Sequence, residues 1–263
     1  MVALPLNKLS WVLALLNHWI SPGVSFSSCK AASLHGKLVH LSCIFPLIHP
    51  FLWSIAVFPS SFRSLYAKLQ VPPPLAADLS WVHFLVQNLL NQMPLPLPQV
   101  VNLQWWGDAS TSFSIGIVVV NLWVIWKWLL GFHVGPRLNF NIGWAEAVVI
   151  ELGLCMAIHL GLFLCSDPSQ AILLVHSNNF GVVVVTNKGC SCGKETNITL
   201  KHVFLLQAHH HVQLRAAHVA GHDNISGTLS RGDIPGFLQG FPSAYSCLTL
   251  PLPSHLSDKL VQG

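Results

Sequence analysis

The sequence predicts an α/β fold in which a mixed five-stranded sheet is flanked by helices and preceded by a mainly helical segment. Three observations carry this expectation. Between residues 103 and 231 the apolar pattern changes repeatedly between alternate-residue and three-to-four-residue spacing, in the order β-β-β-α-β-α-α-β-α. Two proline clusters, residues 72–74 and 94–98, interrupt the chain ahead of that alternation. Hydrophobic residues reach 52% and charged residues only 8%, enough apolar material to cover both faces of a sheet and to raise the alternative of a membrane protein.

The first hundred residues are expected to be mainly helical. Residues 9–29 and 38–62 carry no Asp, Glu, Lys or Arg, and they are the candidate spans if the chain is a multi-pass or anchored membrane protein. Asn17, His18 and the Ser21-Pro22-Gly23 break divide the first; Pro46, Pro50, Pro59 and two histidines divide the second. The apolar start superficially resembles a signal peptide, but its lysine sits late and no small-x-small site follows. The prolines at 72–74 favour an extended connection over residues 69–79, a helix is expected over 78–92, and the domain boundary falls near residue 100.

In the second part, residues 103–109, 114–121 and 122–128 alternate as strands, the last two tightly joined. Residues 143–165 form a helix that is apolar almost all round and is stopped by Ser166-Asp167-Pro168. Residues 171–176 are a strand, and residues 179–187 a helix despite their valines. A second long helix covers 195–210, a strand 212–219 and a short helix 224–231, with a tail from 241 to 263. Three successive strands followed by alternating helices and strands imply a mixed sheet with helices on its faces.

The net charge of +4, against 13 basic residues, is a thin version of the footprint left by phosphate-backbone binders. Seven cysteines without a repeating spacing argue against a secreted disulfide framework and for reduced thiols in an intracellular compartment.

The motifs Trp106-Gly107-Asp108-Ala109-Ser110, Glu146 with Val149, Gly153 and Leu154, Val175-His176-Ser177-Asn178-Asn179, and the stretch 218–231 (HVAGHDNISGTLSR) follow one another in this order. In that order they resemble ribonuclease H, and more narrowly the reverse transcriptase and ribonuclease H region of fungal retrotransposons. Upstream, residues 34–40, 45–48 and 78–81 are similar to the connection segment that follows a polymerase palm. The resemblance implies a connection-like remnant over 1–100 and a ribonuclease H-like domain over 101–240. It further implies ancestral cleavage of RNA in RNA–DNA hybrids, with the polymerase region of the reverse transcriptase as partner. No palm is present in the chain, so it cannot copy nucleic acid by itself.

Ribonuclease H chemistry uses two divalent ions, one activating water and one stabilising the leaving oxygen, and Mg2+ at such a site demands carboxylate oxygens in near-octahedral geometry. The resemblance places the family's first acidic position on Asp108 and its glutamate on Glu146, with Glu151 as a fallback. The third position falls on Asn178, which keeps a carbonyl oxygen but no charge, and the fourth on Gly227, which has no side chain. Asp223 lies one turn ahead of Gly227, about 5.4 Å along a helix axis, too far to substitute. Hydrolysis is therefore expected to be lost or impaired. Cysteines at 155, 190 and 192 stand where the resembling proteins tend to carry arginine, a pattern that C-to-T decay of a silenced element would leave.

For nucleic-acid contact the candidates are Lys127, Lys188 and Arg215, with Lys194 and Lys201 beside them; each is equally an ordinary surface charge. Tryptophans 105, 106, 123, 126 and 128 offer stacking surfaces, but strand alternation sends at least half into the core. His209-His210-His211 with Cys190-x-Cys192 lacks the spacing of a zinc site, and His218 and His222 are more simply structural. Arg231-Gly232-Asp233 continues the Leu-Ser-Arg motif rather than marking adhesion, and the two Asn-x-Ser/Thr sequons are matches by chance.

Overall fold

A computed structural model describes residues 2–88, 92–93, 100–138, 140–162, 171–246 and 250–263, which form two compact units, Met1–Pro98 and Gln99–Gly263. The helix stop expected at 166–168 lies outside the described residues.

The first unit is helical. Helix α1 (Leu6–Ile20) ends at Ser21, whose backbone N–H donates to Asn17. Helix α2 (Ser28–Ser42) starts at a cap in which the Ser27 hydroxyl accepts from Lys30 N–H. Short 3-10 turns and a helical turn, Trp53–Val57, lead to α3 (Pro73–Asn88). Trp19 stacks on Phe26 at 3.6 Å, and Leu16, Leu34, Leu38, Ile48, Phe51, Ile55, Leu79 and Leu85 are fully or almost fully buried. The expected extended connection at 69–79 is thus partly helix. Proline at the first helical position lacks only an N–H that would be unpaired there anyway, so the cluster starts α3 instead of preventing it.

Neither 9–29 nor 38–62 is one continuous helix. Among the described residues, one helix is long and apolar enough to cross a membrane, Ile142–His159, and most of it is buried inside the second unit.

That unit is α/β. Strands β1 (Val100–Ala109), β2 (Ser114–Val119) and β3 (Leu122–Trp128) are successive antiparallel neighbours. Helix α4 (Ile142–His159) follows, then β4 (Ala171–Ser177), α5 (Phe180–Lys188), α6 (Lys194–His209), β5 (Val212–His218), and the short helices α7 (Gly227–Ser230) and α8 (Ile234–Gly240). β4 lies parallel to β1, and β5 parallel to β4. The five strands expected from the sequence are extended to seven: β6 (Tyr245–Ser246) and β7 (Leu260–Gln262), within the stretch expected to be a tail, both pair with β3. The strand order is β6-β3-β2-β1-β4-β5.

Strand alternation assigns the two faces of β1. Trp105 and Gly107 point at α4, where a Cβ on Gly107 would collide with Val149 and one on Gly153 with the Trp105 ring. Trp106 faces the other way, against a cluster of Val118, Ile125, Leu229 and Phe237 that α7 and α8 complete. Helix α4 is buried on nearly every side, which explains why its sequence shows no apolar stripe. Helix α5 forms despite four consecutive valines because both ends are fixed. Asn179 caps its start at 3.2 Å from Val182 N–H, and Gly189, at φ 73°, ends it in the left-handed region that a side chain would disfavour.

Candidate functional site

The mouth of the cleft is made where β1 and β4 end side by side and α4 and α7 approach them from the two faces of the sheet. Residues 108–112, Ile142, Glu146, residues 178–181 and Arg231 line an open cleft of about 720 Å³. The structure brings Asp108, Glu146 and Asn178 together there.

Asp108 is buried, at 4% exposure, and its Oδ2 accepts from the Ser230 hydroxyl. Asn178 also donates to it, and the Arg231 guanidinium lies close enough to act on its charge. Burial holds the Asp108 carboxyl above its ordinary value even though Ser230, Arg231 and Asn178 all pull the other way. Glu146, at 3% exposure, accepts from Ala109 N–H through Oε1 at 3.2 Å, while its Oε2 is buried with no hydrogen-bond partner. Burial, and then the neighbouring Asp108 charge, push the Glu146 carboxyl up to about 8, so it is mostly protonated at neutral pH.

Asn178 is wired through both ends of its amide. Its nitrogen serves Asp108, and its Oδ1 accepts from Asn224 Nδ2 at 3.2 Å; Asn224 also donates to Gly107 O at 3.0 Å. Ser226 closes this network on Asn224 Oδ1 at 2.6 Å. A carboxylate at position 178 could not donate to Asp108, so the asparagine does something its acidic counterpart could not.

Gly227 is also at the site. A Cβ built there would stand 3.9 Å from Asp108 Oδ2 and 3.5 Å from Arg231 Nη1. Asp223, by contrast, is exposed and pairs with His222 at 3.4 Å. Glu151, the fallback glutamate, is not in the cleft; its partners are His202 and His255. Five residues along a helix is roughly 140° around its axis, which turns Glu151 away from Glu146.

Two residues of the site went unsingled in the sequence although they belong to motifs quoted there. Ser230 and Arg231 come from the Leu-Ser-Arg string, held in place because Ser110 and Ser114 hydroxyls donate to Ser230 O at 2.7 and 3.0 Å. Gly116 on β2 lets α7 come this near: its Cβ would meet that of Leu229 at 2.6 Å.

No family model, curated protein or solved structure matches the chain.

Lys127, Lys188 and Arg215 are exposed, but none lines the cleft. Lys127 on β3 and Arg215 on β5 are four strand positions apart, roughly 19 Å at the usual spacing. The tryptophans serve packing first. Trp105 and Trp126 are buried, Trp106 stacks on His176 at 4.2 Å, and Trp128 donates to Ser110 O at 2.8 Å.

The donor set does not fit a magnesium pair. Asp108 already accepts from Ser230 and has its charge compensated by Asn178 and Arg231, the Asn178 carbonyl is taken, Gly227 supplies nothing, and Arg231 places a cation beside the carboxylate that would have to bind a second one. What the cleft offers is a neutralised acidic pair, an arginine, and the hydroxyls and amides of Ser110, Thr111, Ser112 and Asn179.

Proposed function

We propose that residues 99–263 are a ribonuclease H-like domain derived from a retrotransposon reverse transcriptase, one that engages nucleic acid, the RNA–DNA hybrid included, at this cleft and has lost two-ion hydrolysis. The observation that carries the reading is the convergence of positions 108, 146, 178 and 227. They are 119 residues apart at the extremes, they were matched to a four-carboxylate site from sequence motifs alone, and they meet on β1, on α4, just past the end of β4 and on α7. The order β-β-β-α-β-α-α-β-α supports the same reading.

The loss of hydrolysis follows from two changes that act together. Asparagine at 178 and glycine at 227, where the resembling family carries carboxylates, remove two negative charges, and Asn178, Ser230 and Arg231 then compensate the Asp108 charge that an ion would otherwise neutralise. The polymerase region of the ancestral polyprotein would be the natural neighbour of the first unit, and Arg231 at the cleft joins Lys127, Lys188 and Arg215 as a candidate for phosphate contact.

The test restores the missing carboxylates in the full chain. Asn178→Asp combined with Gly227→Asp is expected to give Mg2+-dependent cleavage of a labelled RNA–DNA hybrid that a further Asp108→Ala abolishes, while the parent chain binds the hybrid without cutting it. A folded double variant that neither binds Mg2+ nor cleaves would overturn the site assignment. Turnover by the parent chain, abolished by Asp108→Ala, would keep the assignment and overturn the loss of activity.

A further inference from the structure

A second cluster lies away from the cleft, where α4, α6 and the 3-10 turn Ser254–Leu256 meet. Glu151 is 1% exposed on α4, a second buried carboxylate on the helix that carries Glu146. Its Oε1 lies 3.0 Å from His255 Nε2 and 3.5 Å from His202 Nδ1, and one ligand atom from each of the three lies within 4.8 Å of the other two. The two imidazole rings are tilted by 50° to one another with centroids 3.9 Å apart.

A carboxylate–imidazole pair would account for one histidine. Here two ring nitrogens crowd one carboxylate oxygen, while Glu151 Oε2 and His202 Nδ1 are both buried without a hydrogen-bond partner. Unpaired polar atoms at a buried, convergent position need a partner, and a cation among them would be one for all three side chains at once. Ligand atoms around a four-coordinate zinc, each about 2.0–2.2 Å from the ion, stand roughly 3.3 Å apart. The contacts of 3.0 and 3.5 Å bracket that separation.

We propose that Glu151, His202 and His255 form a site for one zinc-class divalent ion, which fastens residues 250–263 to the flank of the domain. Two imidazole nitrogens and one carboxylate oxygen select zinc over magnesium, which prefers an all-oxygen shell. The His255 side chain is 37% exposed, so the fourth coordination position opens towards solvent and is filled by water. The consequence reaches β7. Its residues Leu260, Val261 and Gln262 pair with β3 only a few positions beyond His255, so the ion would hold the last strand of the sheet in register. The site shares no residue with the cleft and does not depend on the reading given for it.

The experiment uses the full chain stripped of metal by a chelator. Zn2+ is titrated calorimetrically and Co2+ serves as the spectroscopic probe. The expected result is one ion per chain, visible absorption bands of four-coordinate Co2+, and amide-exchange protection of residues 250–263 that appears with Zn2+. His255→Ala, on an exposed turn where folding is checked by circular dichroism, is expected to lower the affinity at least about tenfold and to remove the added protection. A chain with His209, His210 and His211 replaced by alanine should bind as the parent does. Absence of binding by the folded parent, undiminished affinity in His255→Ala, or loss of binding in the triple-histidine variant would each overturn the proposal.

Discussion

Glu146 and Glu151 share one helix, are buried almost equally and stand five residues apart, yet their carboxyl groups are pushed in opposite directions. For Glu146, burial and the Asp108 charge act together and only the Ala109 N–H opposes them. For Glu151, burial also pushes upward, but the His202 and His255 imidazoles beside the carboxylate outweigh it, and the carboxyl falls below its ordinary value. The contrast shows that burial alone does not decide the charge of a carboxyl group. What decides it is whether the neighbouring elements bring donors or a like charge. Helix α4 therefore presents a protonated acid to the cleft and an ionised one to the histidine cluster.

The largest expected effect tests the Glu146 side of this contrast, with EDTA present so that no ion intervenes. Its carboxyl is raised from 4.5 to about 8, so the folded chain binds more protons than the unfolded chain between those values, and stability falls as pH rises through that window. At about 1.4 kcal/mol per unit, the fall is on the order of 3–5 kcal/mol as an upper bound. Glu146→Gln, which resembles the protonated acid, should flatten that part of a denaturation-versus-pH profile. An unchanged slope would mean that Glu146 is ionised in the folded state.

Glu151 should behave in the reverse sense. Its folded value is lowered, so its contribution is fully present above the ordinary value of 4.5 and is lost as pH falls through the folded value. Glu151→Gln is expected to cost about 1–3 kcal/mol at neutral pH in metal-free buffer, with the deficit shrinking in acid, because the charged carboxylate beside two imidazoles becomes a neutral amide. Urea unfolding at pH 7 and pH 4 measures both. A cost that is equal at the two pH values would show that the histidines do not depend on the charge of Glu151.

Much of the second unit was legible in the sequence because α4 and α5 begin at asparagine caps and β1, β2 and β3 follow one another as antiparallel neighbours. The boundaries of β3 and α6 fall within a residue of expectation, and α5 is set by Asn179 and Gly189 more than by its valines. Asp108, Glu146, Asn178 and Gly227 could be named because each sits in a motif of its own. The histidine cluster could not be. His255 comes from a stretch with no periodicity, and the pairing of β7 with β3 that brings it near α4 is a long-range contact with no local signal. The one available hint was Glu151 itself, an acid on an apolar helix, which the sequence offers only as a fallback for Glu146, and five residues of rotation along α4 turn it to another side. The Asn178 network was equally invisible, since an amide that donates to Asp108 and accepts from Asn224 is defined by geometry across three separate segments.

The smallest expected effect concerns what keeps the two glutamates on their separate sides. Between them, α4 rests directly on β1, and Gly153 faces the Trp105 ring so closely that a Cβ there would overlap it. In an isolated helix, Gly→Ala would stabilise by about 1 kcal/mol. Here the added methyl must displace a fully buried indole or lift α4 off the strand, and overpacking of this kind costs about 1–3 kcal/mol. Gly153→Ala is therefore expected to destabilise by a net amount of up to about 2 kcal/mol, the packing cost less the propensity gain, and to shift the near-ultraviolet circular dichroism that Trp105 contributes. If α4 lifts instead of Trp105 moving, Glu146 and Glu151 move with it, and the pH slopes of both glutamates should weaken together. If only the indole yields, stability drops while both slopes persist, so the one substitution separates rigid docking of the helix from local repacking around it.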